Sequence, residues 1–270
     1  MNVPTDPSVS PHRLLLLHGF LSGGHAWQGL RRELGADVVT FAPDLLGYGR
    51  NPQHAGSYSL DALVDDLAPI VERERPTHVL GHSMGAIVAL ALARRYPGGF
   101  AGVGLAGLPV YDGRADGLAC LNHHGPTHRF LLHNDRLTHA ACAAIRPTRR
   151  LWEPLAPLVV PARVLPRLRV LFEHSRQGHA EGLDGIVFAG LVDGLADSLC
   201  TPVAAIHGAL DRLAPVERVR DAALRHGWEL RVAPTGNHQL PIERPRTVAR
   251  WVRESLLVGD NHASPASAAG

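Results

Sequence analysis

The chain has 270 residues, which is enough for one large domain or for a core domain that carries an inserted lid. Its 27 basic and 25 acidic residues give a formal charge of +2, so charge does not favour nucleic acid or a membrane surface as a partner. The chain contains no lysine, which excludes Schiff-base chemistry.

The cysteines and the N-terminal residues indicate the cellular compartment in which the protein is expected. Cys120, Cys142 and Cys200 are scattered without C-x-x-C spacing, so they predict neither a disulfide framework nor a zinc site. Residues 1–12 lack the basic start and the apolar core of a signal peptide, and no apolar run is long enough to span a membrane. We therefore expect a cytoplasmic protein with free thiols and no membrane partner.

The first part of the chain alternates strand-like and helix-like segments. The continuous apolar run at residues 13–17 is typical of a central parallel strand, and the 3.6-residue apolar period at 59–74 predicts an amphipathic helix. In order, the predicted elements are a strand at 13–17, a helix at 27–34, a strand at 38–42, a glycine-punctuated loop at 43–50 and a helix at 59–74.

A strand, a serine between two glycines and a helix follow at residues 77–93. The pattern Gly81-His82-Ser83-Met84-Gly85 between a strand at 77–80 and a helix is the sequence form of a nucleophile elbow. The chain reverses so sharply there that the residues two before and two after the serine must be nearly free of side chain. We expect a strained Ser83 with its hydroxyl exposed at the sheet edge, and a Met84 N–H that points to where an oxyanion would form. An ordinary turn with a solvent-facing serine is the alternative.

The alternation breaks after a fourth strand at residues 101–106 and resumes at 203. Between them, Pro and Gly separate helical stretches at 127–132, 139–145, 162–173 and 183–195. The later elements are a strand at 203–208, a helix at 216–225, a strand at 229–233 and a helix at 244–257. We therefore predict a core at 1–110 and 200–258, a helical lid at 111–199, and a disordered tail at 259–270.

Alternating strands and helices predict a mostly parallel sheet with helices on both faces and a site at the carboxyl ends of the strands. Polar residues follow four predicted strands there. These are His18 after the first strand, Ser83 after the elbow strand, Asp211 after the strand that resumes the core, and His238 after the last strand.

The order Ser, Asp, His together with the elbow resembles the α/β-hydrolase superfamily, in particular its small lid-bearing esterases, C–C hydrolases and cofactor-free haloperoxidase-like members. The resemblance covers residues 13–257. It implies a Ser83–His238–Asp211 triad, with the acid on the G-x-x-D-x-x-x-P loop and the base on the G-x-H loop. It also implies that the Phe20 N–H is the second oxyanion donor. Asn51 departs from the serine common at its position.

The chain begins about a dozen residues before the first strand, which leaves little room for the N-terminal hairpin common in this superfamily. We therefore expect a core sheet of about six strands.

These residues predict a serine hydrolase that cleaves an ester, a thioester or an activated carbonyl C–C bond. A serine at the elbow argues against the haloalkane dehalogenase and epoxide hydrolase branches, which place Asp there. Alternatives are the same triad used for acyl transfer, perhydrolysis, lyase or cyclisation chemistry on a biosynthetic intermediate, and a non-catalytic receptor or pseudo-hydrolase. Asp112, just past the fourth strand, is the alternative acid.

Other candidates concern the substrate. We predict that His82, Leu131 and Trp152 contact it, and that apolar lid residues make the pocket largely apolar. An arginine cluster could receive an anionic group of the substrate: Arg146, Arg149, Arg150, Arg163, Arg167 and Arg169. Histidines in the lid have no nearby paired carboxylates or cysteines, so we predict no metal and no cofactor: His123, His124, His128 and His133.

Overall fold

The computed structural model describes four parts of the chain: residues 12–51, 56–121, 151 and 176–258. Several predicted elements lie outside these described residues, namely the helices at 127–132, 139–145 and 162–173 and the tail at 259–270. Within the described parts, no helix is both long and apolar enough to cross a membrane.

The described strands form a six-stranded, wholly parallel sheet in the order β2-β1-β3-β4-β5-β6. Their bounds are β1 His12–Leu17, β2 Val38–Phe41, β3 His78–His82, β4 Gly102–Ala106, β5 Val203–Gly208 and β6 Glu229–Ala233. This confirms the predicted parallel sheet of about six strands. It also brings the loops that follow β1, β3, β4, β5 and β6 to one edge.

Helices cover both faces of the sheet. Their bounds are α1 Gln28–Leu34, α2 Leu60–Glu74, α3 Met84–Arg95, α4 Arg114–Leu121, α5 Arg176–Gly182, α6 Val192–Ala196, α7 Val216–His226, α8 Leu240–Glu243 and α9 Pro245–Trp251. A 3-10 turn, Gly24–Trp27, precedes α1, and π-helical turns follow α5 at Leu183–Val187 and α9 at Val252–Leu256. Within residues 111–199, α4 and α5 lie outside the predicted helical stretches, α6 lies within the stretch at 183–195, and the lid itself stays a prediction.

The four leucines of β1 show why this sheet needs cover on both faces. Successive side chains of a strand point to opposite faces. Leu15 and Leu17 pack with α2 and α3 residues, whereas Leu14 and Leu16 pack with Trp27 and Trp251 on the other face. All four leucines are fully buried, and each such burial stabilises the fold by about 1.5–3 kcal/mol.

Three predicted boundaries are wrong for local reasons. Strand β3 continues to His82, directly before the serine, rather than ending at residue 80. The helix predicted at 183–195 is broken at Gly190, whose φ of 67° is left-handed. The helix predicted at 244–257 begins one residue later, at Pro245, because a proline disfavours the helical conformation of the residue before it, and Arg244 has φ −130° and ψ 51°.

Backbone atoms around the turn from β3 to α3 approach one another so closely that two positions have no space for a side chain. A Cβ built on Gly81 would overlap the Gly85 carbonyl oxygen, and a Cβ on Gly85 would overlap the carbonyl oxygens of Leu17 and His18. The two glycines therefore serve different contacts. Gly81 clears the turn itself, and Gly85 lets α3 lie against the end of β1.

We expect Gly81→Ala to lower the free energy of unfolding by more than about 2 kcal/mol, because its methyl group meets backbone that cannot move independently. Gly194→Ala is the control, since a Cβ there meets no atom within 4 Å and the residue lies inside α6. That variant should be neutral or stabilising by up to about 1 kcal/mol. Denaturant unfolding measures both variants, and equal stabilities would contradict the steric account.

Candidate active site

Ser83 lies between β3 and α3 in a strained backbone conformation. Its φ of 54° and ψ of −122° fall in a region that residues with a side chain rarely adopt. The Ser83 N–H donates to the Ala106 carbonyl oxygen at 2.9 Å, which ties the turn to the end of β4. Ser83 as a whole residue is buried, at 8% exposed, and exposure of its hydroxyl stays a prediction.

The loops that follow β5 and β6 lie against each other because these strands are neighbours in the sheet. The Leu210 N–H donates to the Gly236 carbonyl oxygen at 2.8 Å. The backbones approach so closely that a Cβ on Gly208 would overlap Gly236. The loop after β5 carries Asp211 and the loop after β6 carries His238, so this packing fixes one side chain relative to the other.

Ser83, His238 and Asp211 form one hydrogen-bonded chain. The Ser83 Oγ lies 3.0 Å from the His238 Nε2, and the His238 Nδ1 lies 2.8 Å from the Asp211 Oδ2. The Asp211 side chain is fully buried, whereas that of His238 is 13% exposed. This is the geometry in which an imidazole can accept the serine proton while a carboxylate orients the ring.

Asp211 accepts hydrogen bonds on both carboxylate oxygens. The backbone N–H groups of Leu213 and Ala214 donate to Oδ1 at 2.9 Å each, and His238 and His207 lie against Oδ2. Burial alone raises the pKa of a carboxyl group, but the nearby His238 and the hydrogen bonds from His207 and His238 outweigh it. The pKa of Asp211 is therefore held well below its ordinary value, and the group is ionised at neutral pH.

His82 and His18 make structural hydrogen bonds beside this chain. The His82 Nε2 donates to the His238 carbonyl oxygen at 2.7 Å, and burial together with His238 lowers the His82 pKa to about 3. The His18 Nε2 accepts the Leu45 N–H at 2.9 Å, and burial lowers the His18 pKa to about 4. Both rings are therefore uncharged at neutral pH. The Nε2 of His82 bonds the backbone of the His238 loop, and the predicted contact of His82 with substrate stays a prediction.

The two predicted oxyanion donors flank Ser83. A Cβ on Gly19 would lie 3.1 Å from the Ser83 Cβ, so the loop that carries Phe20 passes directly against the serine. Met84 is the first residue of α3. The side chains of both residues also lie beside Gly182: a Cβ there would be 3.5 Å from the Phe20 Cε2 and 3.4 Å from the Met84 Sδ. Oxyanion binding by their N–H groups stays a prediction.

The alternative acid does not contact His238. Asp112 is exposed, and its N–H donates to the Asp116 Oδ2 at 3.0 Å. Leu131 and Trp152 lie outside the described residues, as do the six lid arginines and the four lid histidines named above. Among the residues that are described, no group of three or more His, Cys, Asp or Glu side chains could hold a metal ion.

Sequence reasoning missed four residues around the site. Tyr48 donates its hydroxyl hydrogen to the Gly178 carbonyl oxygen at 2.9 Å, and His179 packs on Phe20 with ring centroids 5.0 Å apart. Glu181 accepts from the Tyr58 N–H at 2.6 Å and from the Ser57 hydroxyl at 3.0 Å. His207 lies against Asp211. Of these four, only His207 could have been singled out from the sequence. It is a polar residue in a buried strand, directly before the loop at 209–215 that carries Asp211, which we call the acid loop.

The sequence profile described as the alpha/beta hydrolase family matches residues 14–251. Lipase LipV of Mycobacterium tuberculosis is 39% identical over 89 residues, which are 32% of this chain and 33% of the lipase. A pimeloyl-(acyl-carrier protein) methyl ester esterase of Aeromonas salmonicida is 38% identical over 85 residues, 31% of this chain and 33% of the esterase. These matches span about a third of each relative's length.

Among solved structures, an esterase from Thermogutta terrifontis superposes with a TM-score of 0.68 at 24% identity, covering 91% of this chain and 89% of that one. At this identity the likeness shows a shared fold. The family profile covers most of the chain, including β1, the elbow, the acid loop and the histidine loop. The chain therefore belongs to the alpha/beta hydrolase family.

Proposed function

We propose that the protein is a serine hydrolase that cleaves an ester, a thioester or an activated carbonyl C–C bond through an acyl-enzyme intermediate. The observation that carries the proposal is the continuous path from the Ser83 Oγ through the His238 ring to the Asp211 Oδ2, at 3.0 and 2.8 Å. The named relatives, a lipase and a methyl ester esterase, support ester cleavage as the reaction class.

In this mechanism, the Ser83 Oγ attacks the substrate carbonyl carbon while the His238 Nε2 takes the hydroxyl proton. The negative oxygen that forms is bound by the N–H groups of Phe20 and Met84, and one such donor typically contributes about 3–4 kcal/mol to transition-state stabilisation. His238 then gives the proton to the leaving group, and the acyl-enzyme remains. Water, activated by the same ring, attacks this acyl group and releases the acid. Asp211 stays ionised throughout and stabilises the imidazolium.

We propose that residues 111–199 form a lid over this site, and the contacts of α5 support this. Gly182 lies above the side chains of Phe20 and Met84, and His179 packs on Phe20. Glu181 and the Gly178 carbonyl bind residues of the loop before α2. The burial of Ser83 agrees with a covered serine.

The described parts of the lid favour an apolar substrate. Tyr111, Leu121, Leu183 and Phe188 form a buried apolar cluster, and Phe20 and Leu213 pack against it. Phe20 follows β1 and Leu213 belongs to the acid loop, so the cluster lies at the same sheet edge as the triad. A substrate held between this cluster and Ser83 would meet mainly carbon atoms.

Ser83→Ala should abolish labelling by a fluorophosphonate probe and lower turnover of p-nitrophenyl esters about a million-fold, because the proposed acyl-enzyme forms on the Ser83 Oγ. The protein should remain folded, which circular dichroism checks. Probe labelling that persists at another residue would refute the assignment. Labelling of wild-type protein without turnover of any ester in a series of increasing acyl length would favour a biosynthetic acyl transfer, lyase or cyclisation reaction.

Asp211→Asn should lower kcat about ten-thousand-fold with a much smaller effect on stability, because an amide favours the wrong tautomer of His238. Asp112→Asn is the matched control and should retain wild-type kcat, since that side chain is exposed and away from His238. Steady-state kinetics on the preferred ester compares them. A large loss in the Asp112 variant alone would assign the acid to the loop after β4.

Glu181→Gln tests the lid. Burial raises the pKa of this carboxyl, but hydrogen bonds from Gln177, Tyr58 and Ser57 outweigh it, so the folded-state pKa lies below the ordinary value. The ionised Glu181 carboxylate therefore stabilises the position of α5 at pH values at and above the ordinary pKa of a glutamate. This stabilisation is lost as the pH falls through the lowered pKa of the folded state.

At neutral pH, Glu181→Gln should change the ratio of kcat/KM between long-chain and short-chain p-nitrophenyl esters about two- to tenfold, since it weakens charge-assisted hydrogen bonds. The rate at which a small phosphonate labels Ser83 should stay the same. Glu217→Gln, on exposed Glu217 that pairs with Arg220, is the control. An unchanged ester ranking would argue against a lid held by Glu181.

A further inference from the structure

His207 is a fully buried histidine that the mechanism above does not use. It is the penultimate residue of β5, four positions before Asp211. Its Nε2 lies 2.7 Å from the Ala214 carbonyl oxygen and 3.2 Å from the Asp211 Oδ2. The ring therefore connects the end of β5 with Ala214, at the far end of the acid loop.

These contacts fix the tautomer of the ring. Both neighbours of Nε2 are acceptors, a carbonyl oxygen and a carboxylate oxygen, so Nε2 must carry the hydrogen. The Nδ1 is buried and has no hydrogen-bond partner within the described parts of the chain, so a hydrogen there would be left unsatisfied. His207 is therefore a donor through Nε2, with Ala214 as the near acceptor and the Asp211 Oδ2 as a second, longer contact.

With His207 included, four donor groups lie against the Asp211 carboxylate. Oδ1 takes two backbone N–H groups, Oδ2 takes the His238 Nδ1–H, and the His207 Nε2 lies 3.2 Å from the same Oδ2. A carboxyl group held by four donors on two oxygens cannot rotate without breaking several hydrogen bonds. Of the four donors, His207 and His238 share a single oxygen, so a change in one affects the hydrogen bond of the other.

We propose that His207 is a positioning residue for the triad: its Nε2–H holds the Asp211 Oδ2 in line with His238 and shares the negative charge of that oxygen. This inference rests on the proposed function for its effect on rate. Its effect on the Asp211–His238 hydrogen bond does not depend on turnover. The role of His207 and the proposed function can therefore be refuted separately.

The kinetic test uses a pair of substitutions at His207. His207→Leu removes the donor from the buried site, whereas His207→Gln places an amide nitrogen near the position of Nε2 and retains it. We expect kcat to fall about tenfold in the Leu variant with KM within about twofold, and most of the loss to be restored in the Gln variant. His78→Leu is the control, because His78 is equally buried in β3 and lies at the other end of that strand from Ser83.

The second test is proton and nitrogen NMR of the resting protein. Wild-type His207 should show a protonated Nε2 and a bare Nδ1. In His207→Leu the Asp211 Oδ2 keeps more negative charge, so the low-field proton of the His238 Nδ1–H should move further downfield, and in His207→Gln it should stay near its wild-type position. A merely structural role would lower the unfolding temperature of the Leu variant without moving this resonance.

Each result decides the question. A proton on Nδ1 of wild-type His207, a Leu variant with wild-type kcat, an unmoved His238 resonance, or a Gln variant no better than the Leu variant would overturn the inference. If the Leu variant does not fold, the wild-type tautomer and the Gln variant still decide it. If Ser83→Ala turns over esters as fast as wild type, the proposed function fails, while the NMR readouts continue to test His207.

Discussion

Close backbone packing where β3 meets α3 is the constraint on which the rest of the site depends. Gly81 and Gly85 let the turn, the first turn of α3 and the end of β1 approach to contact distances that any side chain would prevent. This packing holds Ser83 at a positive φ and places the loop after β1 directly against it. The strain of that backbone is sustained because β1, β3 and β4 all hold the turn.

Buried imidazole rings fix the loops that surround Ser83. His18, His82 and His207 each lie at the carboxyl end of a strand, and each hydrogen-bonds to backbone of a loop at the site. Burial lowers the pKa of His18 and of His82, so these two remain uncharged donors and acceptors at neutral pH. A ring with one donor and one acceptor can fasten a loop without placing a net charge beside Ser83.

The described helices between β4 and β5 are fastened to the loops that carry the site. Asp116 on α4 pairs with Arg218 on α7 through two hydrogen bonds of 2.5 and 2.7 Å, and the Tyr111 hydroxyl donates to the Leu213 carbonyl oxygen. Leu213 in turn donates its N–H to Asp211. The segment after β4 is thus connected to Asp211 through Leu213. Helix α5 is held by the loop between β2 and α2, through the Tyr48 hydroxyl and the Tyr58 N–H.

The sequence alone determined the alternation of strands and helices, the elbow at Ser83 and the three residues that the fold brings together. Those features are local: a fully apolar run predicts a strand buried on both faces, as the leucines of β1 show, and two glycines at fixed spacing predict a turn. Only the tertiary structure decided which acid meets His238, because Asp112 and Asp211 both follow a strand, and register and loop packing place only Asp211 against the ring. The same holds for the contact between Ser83 and His238, which are 155 positions apart, and for the donor role of His207. Hydrogen bonds of this kind depend on side-chain direction and loop conformation, which no periodicity along the chain records.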